Sequence, residues 1–295
     1  VAERLNIELS LVDYEAEFRS CVVDYFIAEY GRGRTPNPCL ACNKQIRFGR
    51  LLRHVQELGA EFLATGHYAR ITEIDGACRL QKGLEAQKDQ SYVLYMLGQE
   101  ELRRVRFPVG GYRKAQVREM ARERGLPVAD KDESMEICFV TDDDYRRFLR
   151  EHAPQSVRPG PILDTAGQEI GRHQGLPYYT VGQRRGLGIA APEALYVLRL
   201  DVSRNALIAG TARELGQRNL LAEEVSYVCG SPPEGPVRVQ AKIRYRARLA
   251  DATWTQLAGK RANVTFDEPL RDITPGQAVV AYQDDLVLGG GIISE

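Results

Sequence analysis

Two cysteines three residues apart, Cys39 and Cys42, are the side chains best placed by type and spacing to do chemistry. They stand at the start of a predicted helix, where free backbone N–H groups, the helix dipole, Lys44 and Arg47 favour a thiolate and lower its pKa. The same spacing is also typical of half a zinc site or of a purely structural helix start. The other cysteines occur singly, so no second zinc-binding pair is visible. For this motif alone, redox, metal-binding and structural roles stay open.

Cys138 lies in the segment 136–140, which we predict to be a short strand that ends just before a capped helix. Its neighbours Ile137 and Phe139 are apolar, and a lone cysteine between such residues more often belongs to the core than to an active site. The polar residues 131–134 and the nearby helix start favour a catalytic role instead. Both roles stay open. We interpret the remaining cysteines as structural: Cys21, Cys78 and Cys229.

Two short polar segments lie where ligand contacts are expected. Gly66 and His67 follow a predicted strand, and a glycine at the carboxyl end of a parallel strand lets the backbone approach a ligand. His67 fits a substrate contact or an acid–base role, and equally a hydrogen-bonded histidine near a turn. Lys88, Asp89 and Gln90 fit contacts with phosphate, although a solvated loop is the simpler interpretation.

Two basic stretches in the second half favour RNA binding. Residues 173–188 interleave arginines, glycines and aromatic side chains, and no acidic residue occurs from 171 to 190. This composition suits contact with a sugar–phosphate backbone and stacked bases. Residues 237–248 alternate strictly, which puts five cations on one face of a strand as a phosphate-binding stripe. A solvated edge strand protected by charge is the alternative. The polar face consists of Arg238, Gln240, Lys242, Arg244, Arg246 and Arg248.

The elements that must position these residues change in character along the chain. Helices and a strand alternate over residues 1–156, which predicts an α/β domain with a mostly parallel sheet. Glycine, proline and short alternating strands follow, which predicts a small β-rich central domain at 157–217 and a C-terminal β-barrel at 218–295. The expected helices are 14–30, 42–59, 113–124 and 143–152, the last capped by Thr141 or Asp142. The expected strands are 61–65, 195–201, 206–209, 225–229, 237–248, 252–257, 262–267 and 278–288.

The composition limits the class of protein. Of the 295 residues, 43% are hydrophobic and 27% charged, as in ordinary soluble globular proteins. No apolar run is long enough to span a membrane. Lys plus Arg and Asp plus Glu number 40 each, so an RNA partner must be bound by local basic patches. Six irregularly spaced cysteines exclude a secreted disulfide scaffold, and we expect a reducing, cytoplasmic environment.

Taken together, these segments resemble the tRNA-specific 2-thiouridylases of the MnmA/TrmU family along nearly the whole chain. The resemblance implies an adenine-nucleotide alpha-hydrolase-like parallel-sheet domain, followed by the two β domains. It also implies ATP-dependent 2-thiolation of the wobble uridine of tRNA. Segments in the same order as in the family carry it: 33–44, 64–70, 88–92, 134–139, 175–188, 242–246 and 274–280.

The resemblance implies roles for individual residues. ATP, expected with Mg²⁺, adenylates the 2-carbonyl oxygen of the uridine, with Gly66 at the nucleotide. Cys138 corresponds to the cysteine that carries a persulfide, supplied by a sulfur-carrier or cysteine-desulfurase relay protein. Cys42 corresponds to the second catalytic cysteine, which leaves a Cys42–Cys138 disulfide to be reduced. No metal ligand is implied. The implied tRNA contacts are Asn37, Pro38 and Cys39 at the target base, with His67, Lys88, Asp89, Gln90, Arg244, Tyr245 and Gln277 elsewhere.

Two departures from the family pattern qualify these expectations. Some members carry an aspartate at the position of Cys39, so a thiol would fill that role here. The family's Ser-Gly-Gly-Val-Asp-Ser loop, which cradles ATP phosphates, does not occur in residues 1–295, and the chain starts at Val1 in what resembles mid-domain sequence. We therefore expect an N-terminal part to be missing and the adenylation step to need it. The alternatives are a zinc- or structure-stabilised RNA-binding module without catalysis and an ATP-dependent amidating ligase.

Overall fold

The computed structural model describes residues 1–130 and 137–294. Two long helices dominate the first part, and in each a π-helical stretch joins two α-helical ones. The first consists of α2 (Glu15–Phe18), the π-helical Arg19–Val23 and α3 (Asp24–Gly31). The second, here called the cysteine helix, consists of α4 (Pro38–Ala41), the π-helical Cys42–Leu51 and α5 (Leu52–Glu57). The other helices are α1 (Ala2–Leu5), α6 (Gln99–Arg104), α7 (Lys114–Glu123) and α8 (Tyr145–His152).

The cysteine helix begins at Pro38, earlier than the predicted residue 42. Asn37 is its N-cap, and its side-chain Oδ1 accepts a hydrogen bond from the Cys39 N–H at 3.1 Å. Pro38 occupies the first helical position, where its missing N–H is no loss and its fixed φ suits the helix. Proline inside a helix breaks it, whereas proline at this first position is favoured. Here Pro38 starts the helix, and both cysteines lie within its first turns.

A small parallel pair confirms the α/β character of the first domain. β1 (Leu63–Ala64) and β4 (Val105–Arg106) run parallel, while β2 (Ala69–Ile74) and β3 (Ala77–Lys82) form an antiparallel hairpin. The strand predicted at 61–65 has only these two residues in β1, of which Leu63 is half-buried and Ala64 is exposed. The hairpin turns at Asp75 and Gly76 with φ of 51° and 72°, as an Asp-Gly pair between strands favours.

The central part is a four-stranded sheet in the order β6-β5-β8-β7. Its apolar residues, among them Ile162, Val197 and Leu207, are fully buried in their own cluster. The prediction of a β-rich region is confirmed, although β5 and β6 were not anticipated. The strands are β5 (Gly160–Leu163), β6 (Glu169–His173), β7 (Leu195–Asp201) and β8 (Ala206–Thr211).

The last part is a closed barrel of six strands in the order β13-β10-β11-β12-β9-β14, with β14 pairing back to β13. Trp254 is fully buried in its interior. The barrel prediction is confirmed, but the predicted strand 278–288 is two strands, with Asp284 in the turn at a φ of 52°. The strands are β9 (Gln217–Tyr227), β10 (Val237–Lys242), β11 (Ala250–Leu257), β12 (Arg261–Leu270), β13 (Ala278–Gln283) and β14 (Leu286–Ile293).

The first part and the barrel share one hydrophobic cluster. Leu40 and Phe48 of the cysteine helix belong to the same buried cluster as Val280 of the barrel. The Tyr92 hydroxyl donates to the Ala278 carbonyl at 2.8 Å, and both residues are fully buried. The barrel therefore forms part of the support on which the cysteine helix rests. In residues 1–130 and 137–294, no helix has the length and apolar character needed to cross a membrane.

Candidate active site

Cys138 lies at the tip of a turn and points outward. The Val140 N–H donates to the Ile137 carbonyl at 2.9 Å, which closes the turn where a strand was predicted. Ile137 and Phe139 pack into a helical cluster, with the Phe139 ring 5.3 Å from the Phe26 ring centroid. Cys138 itself is exposed. The apolar neighbours thus anchor the turn and leave the thiol accessible, which removes the core interpretation.

The helix that follows this turn is capped differently from the prediction. The side chain of Asp144, rather than Thr141 or Asp142, accepts a hydrogen bond from the Arg147 N–H at 2.9 Å. Asp142 instead forms an ion pair with the Arg147 side chain. The polar residues 131–134, and the start of the motif 134–139, lie outside the described residues.

The thiols of Cys39, Cys42 and Cys138 lie close enough to influence one another. Burial raises the pKa of Cys39 and of Cys42 above the usual value, and a negative charge on Cys138 raises both further. Coulomb interactions weaken with distance, and the turn packs through Phe139 on the first long helix, which also contacts α4, so the three cysteines lie in one region of the molecule. Cys39 is exposed, Cys42 is half-buried, and all three cysteines are free thiols.

The prediction of a lowered pKa at Cys42 is wrong in its net direction, because burial outweighs the favourable charges. Arg47 does lower the pKa of both Cys39 and Cys42, as expected. Lys44 does not contribute in the same way, since its Nζ lies 3.3 Å from Glu224 Oε2 of the barrel. Of the two cations proposed from the sequence, Arg47 is therefore the one that acts on the thiols.

Arg47 is tied into a chain of hydrogen bonds across the base of the site. Its Nη1 donates to Asn43 Oδ1 at 3.1 Å and lies 3.3 Å from His67 Nε2. Asn43 is buried, and its Nδ2 donates to the Val93 carbonyl at 2.8 Å. On the other side, His67 Nδ1 lies 2.8 Å from Thr65 Oγ1. The chain joins the cysteine helix to the loop that follows β1.

His67 is buried and neutral in this arrangement. Burial, reinforced by the positive charge of Arg47, lowers its pKa from 6.5 to about 4. A guanidinium can only donate, so His67 Nε2 must accept and Nδ1 must carry the proton that it gives to Thr65 Oγ1. Phe48 and Phe107 flank the ring, with centroids 5.7 and 5.8 Å away. In residues 1–130 and 137–294, no group of three or more His, Cys, Asp or Glu residues could hold a metal ion.

Family models match the chain in three consecutive segments. Residues 1–142 match a tRNA methyl transferase HUP domain, and residues 146–211 match a tRNA methyl transferase PRC-barrel domain. Residues 217–293 match an aminomethyltransferase beta-barrel domain. The same three-part order was inferred from the sequence. The exact limits 1–156, 157–217 and 218–295 stay predictions.

Individual relatives name the family. The chain is 51% identical over 295 residues to the tRNA-specific 2-thiouridylase MnmA of Moorella thermoacetica, covering 99% of this chain and 83% of that protein. It is 49% identical to the enzyme of the same name from Roseiflexus castenholzii, covering 100% of this chain and 84% of that protein. It is 50% identical to the enzyme of the same name from Geobacter metallireducens, covering 99% of this chain and 80% of that protein. The chain belongs to the tRNA-specific 2-thiouridylase family.

The loop before the cysteine helix, residues 33–37 and here called the junction loop, touches both β domains. Thr35 donates its N–H to the Pro275 carbonyl at 2.8 Å, and its carbonyl accepts from Gln277 Nε2 at 2.7 Å. Its hydroxyl lies 3.2 Å from the hydroxyl of Thr180 in the central domain. Gln277, predicted to contact tRNA, thus holds the loop that carries Asn37. The loop fixes where the cysteine helix begins.

The segment Lys88–Gln90 divides between surface and interior. Asp89 is buried, and its carboxylate accepts from the Gly83 N–H at 2.9 Å and from the Ser91 hydroxyl at 2.9 Å. Gln90 Oε1 accepts from the Tyr68 N–H at 2.9 Å. Lys88 faces an open cleft. Direct tRNA contacts by these three residues stay predictions, and Asp89 supports the loop from within.

The cleft beside Lys88 is about 450 Å³ and mainly basic. It runs along α7, on which Lys114, Arg118 and Arg122 are spaced four residues apart and so share one face. Arg122 is paired with Glu119 and Asp130. Sequence reasoning missed this surface, although the spacing of its cations within the predicted helix 113–124 was visible. Its lining residues are Lys88, Lys114, Ala115, Arg118, Glu119 and Arg122.

The predicted cation stripe at 237–248 is not one strand face. β10 ends at Lys242, and the Ala247 N–H donates to the Arg244 carbonyl at 3.0 Å in a turn. Arg238 pairs with Asp267, Lys242 with the buried Asp89, and Arg244 with Asp272. Acidic residues that are distant in the chain therefore neutralise three of the cations that the strict alternation had predicted to form one surface. Tyr245 is half-buried, 6.1 Å from the Tyr92 ring centroid.

The basic stretch 173–188 also differs from its expected exposure. His173 is buried, accepts the Gly175 N–H at its Nδ1 at 3.1 Å, and has Nε2 3.0 Å from the Asn205 carbonyl. Tyr178 and Tyr179 are buried and therefore unavailable for stacking on bases. Arg184 and Arg185 are exposed.

Gly66 is exposed after β1, and a side chain there would meet no atom within 4 Å, which leaves room for a ligand.

Proposed function

We propose that this chain is a tRNA sulfurtransferase that replaces the 2-oxygen of the wobble uridine with sulfur. The observation that carries the proposal is that the Cys138 turn packs through Phe139 on the first long helix, which also contacts α4 with Cys39, so that a charge on Cys138 acts on Cys39 and Cys42. A ligase that transfers an amine needs no such group of thiols. The names of relatives about 50% identical over nearly the whole chain support the same substrate and reaction.

The first step makes the 2-oxygen a leaving group. The uridine oxygen attacks the α-phosphate of ATP and pyrophosphate departs, which leaves an O2-adenylated base. The exposed Gly66 at the end of β1 is our candidate for backbone contact with the nucleotide. Asn37 and Pro38 border the base at the start of the cysteine helix. Magnesium is expected to accompany ATP as part of the substrate.

The second step transfers sulfur between the two cysteines. A sulfur-carrier or desulfurase relay protein loads Cys138 as a persulfide, whose terminal sulfur attacks C2 and displaces AMP. The Cys42 thiolate then attacks Cys138 Sγ. The S–S bond between Cys138 and the transferred sulfur breaks, and its electron pair stays on the sulfur bound to C2. 2-Thiouridine is released, and a Cys42–Cys138 disulfide remains. A dithiol reductant supplies two electrons and two protons to restore both thiols. Because the turn is exposed, another protein can reach Cys138 and transfer the persulfide sulfur to it.

The tRNA backbone has to be bound by local groups of cations. We assign phosphate contacts to the cleft formed by Lys88 and α7, next to the loop of His67 and Tyr68. Lys114 Nζ lies 5.4 Å from the Tyr68 ring centroid, which joins this cleft to the loop after β1. Arg184 and Arg185 offer a second exposed pair on the central domain. Local patches of this kind suit a protein whose formal net charge is zero.

Cysteine replacement tests the proposal. Cys42→Ser and Cys138→Ser should each abolish 2-thiouridine in tRNA supplied with ATP and a persulfide donor, measured by mass spectrometry of nucleosides. Cys229→Ser, at a half-buried position of the barrel just after β9, is the control and should remain active. After one turnover without reductant, peptide mapping should recover the Cys42–Cys138 disulfide. Full activity in either serine variant would refute the sulfur-transfer mechanism, and an inactive parent protein that carries the Ser-Gly-Gly-Val-Asp-Ser loop would refute the function.

A further inference from the structure

We propose that His67 is a positioning residue that holds Arg47 against the thiol site, so that Arg47 stabilises the Cys42 thiolate. The inference rests on the proposed function only in taking Cys42 as a reacting thiol. It gives His67 a role inside the protein that is distinct from contact with tRNA. The two roles differ in an observable way, because a positioning role operates when no tRNA is present.

The geometry supports a clamp on a side chain that would otherwise move. Arg47 is exposed, and a long exposed arginine loses rotamer freedom when it is held in one place. Two acceptors converge on its Nη1, with Asn43 Oδ1 at 3.1 Å and His67 Nε2 at 3.3 Å. Both acceptors are buried, at 2% and 6% exposure, so their positions are set by the core rather than by solvent.

Each acceptor is itself fixed from behind. The Asn43 amide is oriented by its donation to the Val93 carbonyl at 2.8 Å, which leaves Oδ1 to face Arg47. The His67 ring is oriented by Thr65 Oγ1 at 2.8 Å from Nδ1, which leaves Nε2 as the acceptor. The ring also lies between Phe48 and Phe107. A protonated imidazole would present N–H to a guanidinium, so the clamp requires neutral His67, and its low pKa meets that requirement.

Lys44 is the other cation that lies near Cys42 in the sequence of the cysteine helix, and it forms an ion pair with the barrel. Lys44 follows Cys42 more closely in sequence, but its ammonium is paired with Glu224 of the barrel at 3.3 Å. Arg47 lies five residues after Cys42 in the π-helical stretch, whose hydrogen bonds join residues five apart. That conformation brings residues 42 and 47 to the same side of the helix. Arg47 thus faces the thiols while Lys44 is directed to the barrel.

The test measures thiol reactivity in the full chain without tRNA or ATP. In a Cys39→Ser background, the rate at which iodoacetamide alkylates Cys42 is followed from pH 7 to pH 10 by peptide mass spectrometry. His67 stays neutral over this range, so any change reports the cation and not titration of the imidazole. Arg47→Gln should slow alkylation at pH 8 by about two- to fivefold, the size expected for a solvent-screened charge pair. Lys44→Gln is the matched control and should leave the pH profile unchanged.

Variants of the clamp separate positioning from general damage. His67→Leu removes the acceptor and should slow alkylation as much as Arg47→Gln, while His67→Gln, which restores an acceptor, should recover most of the parental rate. The double variant Arg47→Gln/His67→Leu should be no slower than Arg47→Gln alone, since both changes remove one effect. If His67→Leu does not fold, Thr65→Val tests the same point by releasing Nδ1, with a smaller slowing expected.

Several results would overturn the inference. A parental pH profile in His67→Leu, or in Thr65→Val if that variant carries the test, would show that the clamp does not act on Cys42. Additive losses in the double variant would do the same. These outcomes leave the proposed function intact if the parent chain forms 2-thiouridine. Absence of thiolation by a parent protein that carries the Ser-Gly-Gly-Val-Asp-Ser loop would instead refute the function without bearing on the clamp.

Discussion

Gly276 lies where the barrel meets the junction loop, and replacing it with alanine should displace the start of the cysteine helix. A Cβ on Gly276 would stand 2.8 Å from the Thr35 nitrogen and 3.0 Å from the Arg34 Cβ. Real Cβ atoms do not approach backbone so closely, so either the loop or the barrel turn must move. The hydrogen bond from the Thr35 N–H to the Pro275 carbonyl, 2.8 Å long, is the contact that this movement would disturb most.

The free-energy cost can be separated from simple backbone strain by a matched control. Gly276 and Gly259 both have positive φ, 93° and 71°, but a Cβ on Gly259 would meet nothing within 4 Å. Gly259→Ala should therefore lower the unfolding free energy by about 1 kcal/mol, the cost of a left-handed conformation for alanine. Gly276→Ala adds overpacking and the weakening of a hydrogen bond, for a total of about 3 kcal/mol.

Urea unfolding measures the two free energies, and the rate of 2-thiouridine formation reports the site. At a temperature where both variants stay folded, Gly276→Ala should lose about tenfold in rate or more, because displacements on the order of 1 Å at a reacting group are costly. Gly259→Ala should retain the parental rate. Equal losses of stability in the two variants would refute the steric reasoning. Parental activity in a strongly destabilised Gly276→Ala would show that the junction loop does not position the cysteines.

Charge reversal in the basic cleft, Arg118→Glu, should weaken tRNA binding several-fold and lower the slope of log affinity against log salt by about 1 or more. Arg103→Glu, on α6 away from the cleft, is the control, and equal effects of both changes would argue against a local contact. A second prediction concerns acid stability. The pKa of His67 falls from 6.5 to about 4 on folding, so the unfolded chain takes up the proton first as the pH drops. The neutral, buried imidazole of His67 therefore contributes on the order of 3 kcal/mol to the unfolding free energy above pH 6.5. This contribution is lost as the pH falls to about 4. Urea unfolding across this range should show a shallower pH dependence in His67→Gln, and an unchanged dependence would refute the assignment of a neutral, buried imidazole.

Local sequence patterns predicted much of the fold. The periodic apolar residues of the first long helix, from Phe18 to Tyr30, predicted 14–30, and the structure has helix from Glu15 to Gly31. Alternation predicted β7 to its exact limits, Leu195–Asp201. Such patterns succeed because side-chain direction along a helix or strand is set by backbone geometry alone. They failed at Asn37 and Asp144, where a single side-chain cap decides which residue begins the helix.

The candidate site depended on both kinds of information. The spacing of Cys39 and Cys42, with the ordered motifs around them, was sufficient to indicate a thiol chemistry and a tRNA substrate. The accessibility of Cys138 was not, because a cysteine between two apolar residues is equally compatible with a buried strand and an exposed turn. Only the packing of Ile137 and Phe139 against helices earlier in the chain places the thiol outside.

The electrostatics of the site were decided by tertiary structure. The sequence places both Lys44 and Arg47 within five residues after Cys42, but Glu224 of the barrel pairs with Lys44, and His67 holds Arg47. Burial then raises the pKa of the Cys42 thiol, against the prediction from neighbouring charges. Residue types and their spacing therefore identified the groups that could react. Desolvation and charge pairing depend on atoms that are distant in the chain, and so only the folded arrangement determined how those groups are charged.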